Sequence, residues 1–227
     1  MALDIKISNR LKEIAKMVDK DDIVIDIGSD HALLPIYLIK NEISKLSYAI
    51  DNKIGPLNRA IKNIKEYDVQ DSVIPILSDG FNNLSNIEYD TVTISGMGGD
   101  LIKEILDNPI YKKNKKLILE GNKAQNRIRE FLMNNNYKII DERIVYENNI
   151  YYFIIKAIPS KNIILLNKYE IEYGPINIKN KNPLLKDFLN LNLSMYENAL
   201  KNSMNNENII SKIDFIKEVL NEISWNN

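Results

Sequence analysis

The sequence has no cysteine, which excludes a disulfide framework, a thiolate nucleophile and cysteine-ligated zinc. Its one histidine, His31, lacks the partners a histidine-based metal site needs, and no metal is expected. No apolar run approaches the roughly 20 residues that span a bilayer. The opening MALDIKISNRLKEIAK is charged throughout and lacks the apolar stretch of a secretory signal, so a soluble, cytoplasmic protein is expected. Glycine is scarce too, at eight residues, yet three of the eight fall at 96, 98 and 99.

The 227 residues suit one large domain, or a medium domain with a small appendage. Lysine and arginine number 30 against 31 acids, but unevenly. Residues 1–102 carry 11 basic and 16 acidic side chains, whereas residues 103–155 carry 10 and 7 and residues 156–186 carry 6 and 2. An acidic front half before a basic middle fits a small-molecule site beside a polyanion-binding face, and equally fits solvated lysines on loops.

Apolar runs too short for helices alternate with helix-patterned segments from residue 22 to about 157. DDIVIDIG, KLSYAID, SVIPILSDG, YDTVTISGMGG and KKLILEGN read as five strands. ALLPIYLIKN, GPLNRAIKNIKEY, DLIKEILDN and NKAQNRIREFLMNNN read as the helices following strands one, two, four and five. This alternation predicts a parallel, doubly wound α/β sheet. Pro75 points to an edge position or an irregular start for strand three. Two further strands joined at Glu147-Asn148-Asn149 would close it as a hairpin, and residues 1–20 are predicted to form a preceding helix. Residues 1–160 are thus expected as one domain and 161–227 as a linker plus an antiparallel helical hairpin. Gly174-Pro175 would turn within the linker and Asn205-Asn206 between the helices. The helical seams read Leu184, Phe188, Leu191, Met195, Ala199 and Ile209, Ile213, Ile216, Leu220, Ile223. That hairpin could pack on its own chain or on a partner; a monomer is expected.

Ligands of open α/β sheets bind beyond the carboxyl ends of the strands. There the sequence places Asp26, Gly28, Ser29, Asp30 and His31; Asp51 and Asn52; Ser78, Asp79 and Gly80; and Ser95, Gly96 and Met97. Gly28 lets a ligand approach the backbone, Asp51 stands where an acid would accept from ribose hydroxyls, and Asp79 could accept from an adenine amino group. A dinucleotide site would need a second glycine at position 30. Asp30 would repel a pyrophosphate, whereas Asp26 and Asp30 suit a cationic ligand with a sulfonium and an ammonium group, the features of S-adenosylmethionine. His31 reads either as structural or as lining that pocket. The glycines at 96, 98 and 99 serve either tight packing or the approach of a flat ring.

DIGSDHALLP, Asp51, LSDG and TISGMGGDLI together resemble the bacterial tRNA adenine-22 N1-methyltransferase family, and the similarity continues through LILEGNKAQNRIREFL and Tyr173-Gly174-Pro175. The resemblance implies a class I methyltransferase: a Rossmann-like seven-stranded sheet with a C-terminal helical hairpin, S-adenosylmethionine as cofactor and tRNA as partner. It implies that Asp26, Gly28, Ser29, Asp30 and His31 surround the methionine portion and that Asp51 and Asn52 hold the ribose. Asp79 and Gly80 would face the adenine, with Ser95, Gly96 and Met97 between cofactor and target base. Where the family has Gln-Pro-Asn after strand five, this chain has Glu120-Gly121-Asn122, so only Asn122 matches. Asn122 and Asp30 are candidates to read the exocyclic N6. For the tRNA body the candidates are Lys112, Lys113, Lys115, Lys116, Lys123, Arg127 and Arg129, in the basic segments.

Overall fold

A computed structural model describes residues 5–202 and 206–223. One seven-stranded sheet runs in the order β3-β2-β1-β4-β5-β7-β6. Its strands are β1 (Asp22–Ile27), β2 (Ser44–Asp51), β3 (Val73–Leu77), β4 (Thr91–Gly98), β5 (Lys116–Lys123), β6 (Tyr137–Glu147) and β7 (Ile150–Pro159). β1 to β5 are mutually parallel, while β7 inserts antiparallel to both β5 and β6. The five parallel strands are the doubly wound sheet the alternation predicts, and the seven-stranded Rossmann-like order is the one the resemblance implies.

The central strands are apolar on both sides because helices cover both faces. Val24 and Ile118 pack with Ile14, Leu34 and Leu38 under α1 (Asn9–Met17) and α2 (Leu33–Lys40). α3 (Ile54–Glu66) adds Ala60 and Ile64 to the same side, against Ile36 and Ala49. The alternate residues Ile25, Leu117 and Leu119 pack on the other face with α4 (Gly99–Leu106) and α5 (Gln125–Asn134), through Ile102, Leu106, Ile128 and Phe131.

Pro75 does sit in an edge strand, where its missing N–H breaks no ladder. The β6–β7 turn uses Asn148 and Asn149 with φ of 52° and 62°, the positive-φ pair that a tight hairpin of this hand requires. The first helix is shorter than predicted. Ser8 starts it, its Oγ accepting from the Leu11 N–H at 3.2 Å. Ile5 and Ile7 are buried ahead of it in non-helical chain, and residues 1–4 lie outside the described residues.

Two expectations for the C-terminal part are corrected. The stretch read as a linker folds into α6 (Lys168–Tyr173) and α7 (Pro175–Lys179), which seat against α5 and β6. α6 opens with a reciprocal cap: Asn167 accepts from the Glu170 N–H and Glu170 accepts from the Asn167 N–H. Within α8 (Pro183–Asn202) the buried seam is Leu185 and Leu189, whereas Leu191 and Met195 are exposed. The reason is that α8 packs on α9 (Glu207–Glu222) and on the sheet residues Ile144 and Phe153 at once, which shifts the buried stripe away from a two-helix seam. In α9 the expected Ile213, Ile216 and Ile223 are buried, together with Val219. Asn206 caps α9 by accepting from the Ile209 N–H; Asn205 lies outside the described residues. Among the described residues no helix is long and apolar enough to cross a membrane.

Candidate functional site

β1 has β2 on one side and β4 on the other, so the connections leaving β1 and β4 diverge and open a crevice at their carboxyl ends. A cleft of about 220 Å³ lies there, lined by Gly28, Asp51, Asn52, Asp79, Gly80 and Met97 among others. Seven of the residues singled out from the sequence, Ser78 among them, come from four different strand ends and meet in one place.

The turn after β1 is tied down by backbone. The Gly28 and Ser29 N–H groups both donate to the Ile50 carbonyl at 2.9 Å, coupling this turn to the end of β2. Gly28 has φ of 76°, and a Cβ there would overlap the Met97 side chain. Glycine is therefore required by conformation, and a side chain there would also have to displace the end of Met97 in the cleft wall. The Asp51 carboxylate accepts from the Lys53 N–H at 2.9 Å, and Asn52 Nδ2 donates to Asp79 at 3.3 Å across the cleft. The Ser29 hydroxyl is buried beside the Asp26 carboxyl, beneath the turn rather than in the lining of the cleft.

Asp26 lies beneath this turn and does not line the cleft. Thr93 Oγ1 donates to it at 2.7 Å. Burial pushes its carboxyl up to about 6, against the opposing pull of the neighbouring Ser29 and Thr93 hydroxyls and of the Arg10 charge. Between about pH 4 and pH 6 the native state thus binds the proton that the unfolded chain has lost, so this group's contribution to stability falls across that window and is level above it. Asp26→Asn is expected to gain stability over wild type as pH rises from 4 to 7, by about 3 kcal/mol at most. Urea unfolding of both proteins at the two pH values reads this directly; a pH-independent difference would contradict the assignment.

Asp30 and His31 stand outside the cleft. Asp30 is largely exposed and paired with Arg59 at 3.1 Å, with His31 Nε2 at 3.4 Å. His31 and Ala32 have φ of 63° and 54°, so the chain turns through two left-handed residues before α2 begins. Asn63 Nδ2 holds this turn through the His31 carbonyl at 2.9 Å. Ser95 and Gly96 lie at the end of β4, where the pairing with β5 shifts register. Asn122 Nδ2 donates to the Gly96 carbonyl at 2.8 Å, which leaves its Oδ1 as the free acceptor. Close packing explains part of the glycine cluster: a Cβ on Gly99 would collide with the Ala124 carbonyl.

The basic candidates separate into three groups. Lys112, Lys113, Lys115 and Lys116 precede or begin β5, at the amino ends of the parallel strands, opposite the cleft. There Lys112 pairs with Glu88, Lys113 donates to Asn135, and Lys116 is held by Asp19 and Asp22. Lys123 and Arg127 flank the carboxyl end of β5, on the cleft side. Arg129 is fully buried and paired with Glu142 at 2.8 Å, so it cannot serve as an RNA contact. Its position on the apolar face of α5, beside Ile128, Phe131 and Leu132, puts it inside the protein.

Two functional candidates were not visible in the sequence. Arg59 neutralises Asp30 from α3, 29 residues away. Arg10 crosses from α1 to Glu120, a contact spanning 110 residues that no local pattern marks. Among the described residues no cluster of three metal-ligating side chains occurs.

Comparison with known proteins agrees with this geometry. Residues 7–155 match the model of a methyltransferase domain family. The tRNA (adenine(22)-N(1))-methyltransferase of Bacillus subtilis (strain 168) is 35% identical over 158 residues, 68% of this chain and 66% of that protein. The structure of M. capricolum TrmK, in complex with S-adenosyl-homocysteine, superposes with a TM-score of 0.85 at 33% identity, covering 96% of this chain and 98% of that one. The B. subtilis m1A22 tRNA methyltransferase TrmK superposes with a TM-score of 0.80 at 28% identity, over 97% and 99% of the two chains. With seven of the predicted strand-end residues gathered in one cleft and this similarity running from the first helix to the C-terminal hairpin, the chain belongs to the TrmK family of tRNA methyltransferases.

Proposed function

We propose that the protein transfers a methyl group from S-adenosylmethionine to N1 of adenine 22 in tRNA. The observation that carries this reading is the convergence of Gly28, Asp51, Asp79 and Met97 on one cleft in a chain of this family. The residues present fit the cofactor. Gly28 leaves the cleft wall open beside the Met97 side chain, and Asp51 and Asp79 offer acceptors for hydroxyl and amino groups. Asp51 and Asn52 would hold the ribose and Asp79 and Gly80 the adenine. Gly28 would adjoin the methionine portion, with Asp26 and Ser29 supporting its turn from beneath and His31 outside the cleft. When bound, the cofactor supplies an electrophilic methyl on a sulfonium.

The work left to the chain is alignment. Adenine N1 carries an in-plane lone pair and attacks without deprotonation, so neither a general base, a cysteine nor a metal is required. Ser95, Gly96 and Met97 form the wall between donor and acceptor, where they orient the base and exclude water. N1 is paired in a duplex, so the nucleotide must leave its stack before it reaches this wall. Asn122 Oδ1 and Asp30 are proposed as acceptors for N6 as positive charge builds on the base; Asn122 already bonds Gly96 through Nδ2, and Asp30 is paired with Arg59.

Incubation with unmodified tRNA and labelled cofactor, followed by mapping of the methylated nucleotide, tests the reading. Label at N1 of adenine 22 supports it. Turnover on another substrate would reassign it within the methyltransferases, and absence of cofactor binding would leave an RNA-binding module with a methyltransferase fold.

Lys123 and Arg127 are proposed as the RNA-binding side chains nearest the cleft. The double substitution Lys123→Glu, Arg127→Glu is expected to weaken tRNA binding at least tenfold and to flatten its salt dependence, by somewhat under one unit of slope for each phosphate that is no longer neutralised. Lys112→Glu with Lys113→Glu, before the amino end of β5, is expected to change affinity much less. Equal weakening from both pairs in filter binding across a salt series would place the RNA elsewhere.

A further inference from the structure

The end of β5 and the N-terminal helix meet over a single peptide. Gly96 has φ of 77° and sits where β4 shifts register against β5. Its N–H donates to Glu120 Oε2 at 3.0 Å, while its carbonyl accepts from Asn122 Nδ2 at 2.8 Å. Both polar atoms of this residue are therefore held by two side chains of the same strand end. Glu120 is in turn held from the far side. The Arg10 guanidinium pairs with the same Oε2, although Glu120 is completely buried. Arg10 itself lies over the Tyr152 ring at 5.2 Å, and the N–H groups of Asn9 and Arg10 donate to Glu147 at the tip of the β6–β7 hairpin.

We propose that Arg10, Glu120 and Asn122 form a clamp that positions the Gly96 peptide, and with it the wall between methyl donor and target base. This rests on the methyltransferase reading above. Glu120 and Arg10 are positioning residues: they act through Gly96. Asn122 contributes its amide donor to the clamp, a different atom from the Oδ1 discussed for N6.

The geometry also explains the departure from the family at this position. One oxygen of Glu120 makes every bond, and Oε1 has no partner. A glutamine can present the same single acceptor, so the Gln of the resembling family and the Glu of this chain perform the same task. The difference is charge. Here a fully buried carboxylate depends on Arg10 for its counter-ion, and a buried charge left without its partner is far costlier than a buried amide.

Three variants separate the possibilities. Glu120→Ala removes the acceptor and is expected to lower kcat about 10- to 100-fold with cofactor affinity within about twofold of wild type, the scale expected when reacting groups are displaced by about 1 Å. Glu120→Gln keeps the acceptor and is expected to restore kcat to within about threefold. Asn122→Asp keeps Oδ1 but replaces the donor to Gly96 with a second acceptor, so the clamp predicts a fall in kcat like that of Glu120→Ala. A role confined to reading N6 through Oδ1 predicts little change.

Amide hydrogen exchange on the cofactor-free protein gives a readout independent of turnover. The Gly96 N–H is expected to exchange at least tenfold faster in Glu120→Ala and at about the wild-type rate in Glu120→Gln. Unchanged Gly96 protection in Glu120→Ala overturns the clamp. Faster exchange with unchanged kcat overturns its positioning role. A wild-type protein that methylates no tRNA defeats the functional reading instead, and the clamp is then judged on exchange alone.

Discussion

Gly28→Val is expected to abolish cofactor binding, with affinity falling at least 100-fold in calorimetry. Valine is among the residues least able to adopt a φ of 76°, because both branches of its Cβ crowd the backbone. The new Cβ would also occupy the position of the Met97 methyl group. The turn cannot relax away, since the N–H groups of residues 28 and 29 are both anchored on the Ile50 carbonyl. Whatever yields, Met97 or the turn, a wall of the cleft moves. Asp51→Ala separates loss of the site from loss of the fold. Its carboxylate makes one local hydrogen bond, to the Lys53 N–H, so the variant should unfold within a few degrees of wild type. Cofactor affinity should nevertheless drop about tenfold or more, because two charge-assisted hydrogen bonds to ribose hydroxyls would be removed. Retention of wild-type affinity by both proteins would remove the cofactor from this cleft.

The strand ends were legible because their signals are local. A β-branched run broken by Gly28, or by glycines at 96, 98 and 99, announces a strand and its carboxyl end within ten residues, and topology then brings those ends together. Pro75 and the Asn148-Asn149 turn were legible because their signals are local as well: proline fixes its own φ, and asparagine tolerates the positive φ of a tight turn. What sequence hides is set by long-range burial. Arg10 reads as one charge on an amphipathic helix, and only the packing of α1 across the carboxyl end of β5 gives it Glu120. The segment before α8 is rich in lysine and asparagine and carries a Gly-Pro step, which together read as a linker. Its order comes from partners on α5 and β6. The seam of α8 misled in the same way, since a heptad pattern assumes a single partner helix while Leu185 and Leu189 also face the sheet.

Arg129 gives the largest expected effect on stability, and of a kind opposite to that of an RNA-binding side chain. Its Nε donates to Glu142 Oε1 at 2.8 Å, and Nη1 donates to the carbonyls of Ile171 and Glu172 at 3.2 and 2.9 Å, at the C-terminal turn of α6. Glu142 Oε2 accepts from the Ile176 N–H at 2.9 Å, in the first turn of α7. The pair thus places a positive charge at the end of one short helix and a negative charge at the start of the next, each sign matching the local helix dipole. Gly174 sits between the two helices with φ of 97°, and a Cβ there would run into the Glu142 carboxylate. Arg129→Ala would leave that carboxylate buried and unpaired and orphan two carbonyls as well, for a destabilisation of about 3–5 kcal/mol. In a chain of this size that lowers the thermal midpoint by roughly 10 °C. Arg129→Ala with Glu142→Ala should not recover wild-type stability, because the α6 carbonyls and α7 amides remain without their partners. A surface residue that binds phosphate behaves differently: its removal leaves the melting temperature alone and weakens tRNA binding in a salt-dependent way. Scanning calorimetry and a salt titration on the same Arg129 variant therefore decide between the two roles, and a wild-type midpoint with weakened tRNA binding would return this arginine to the surface.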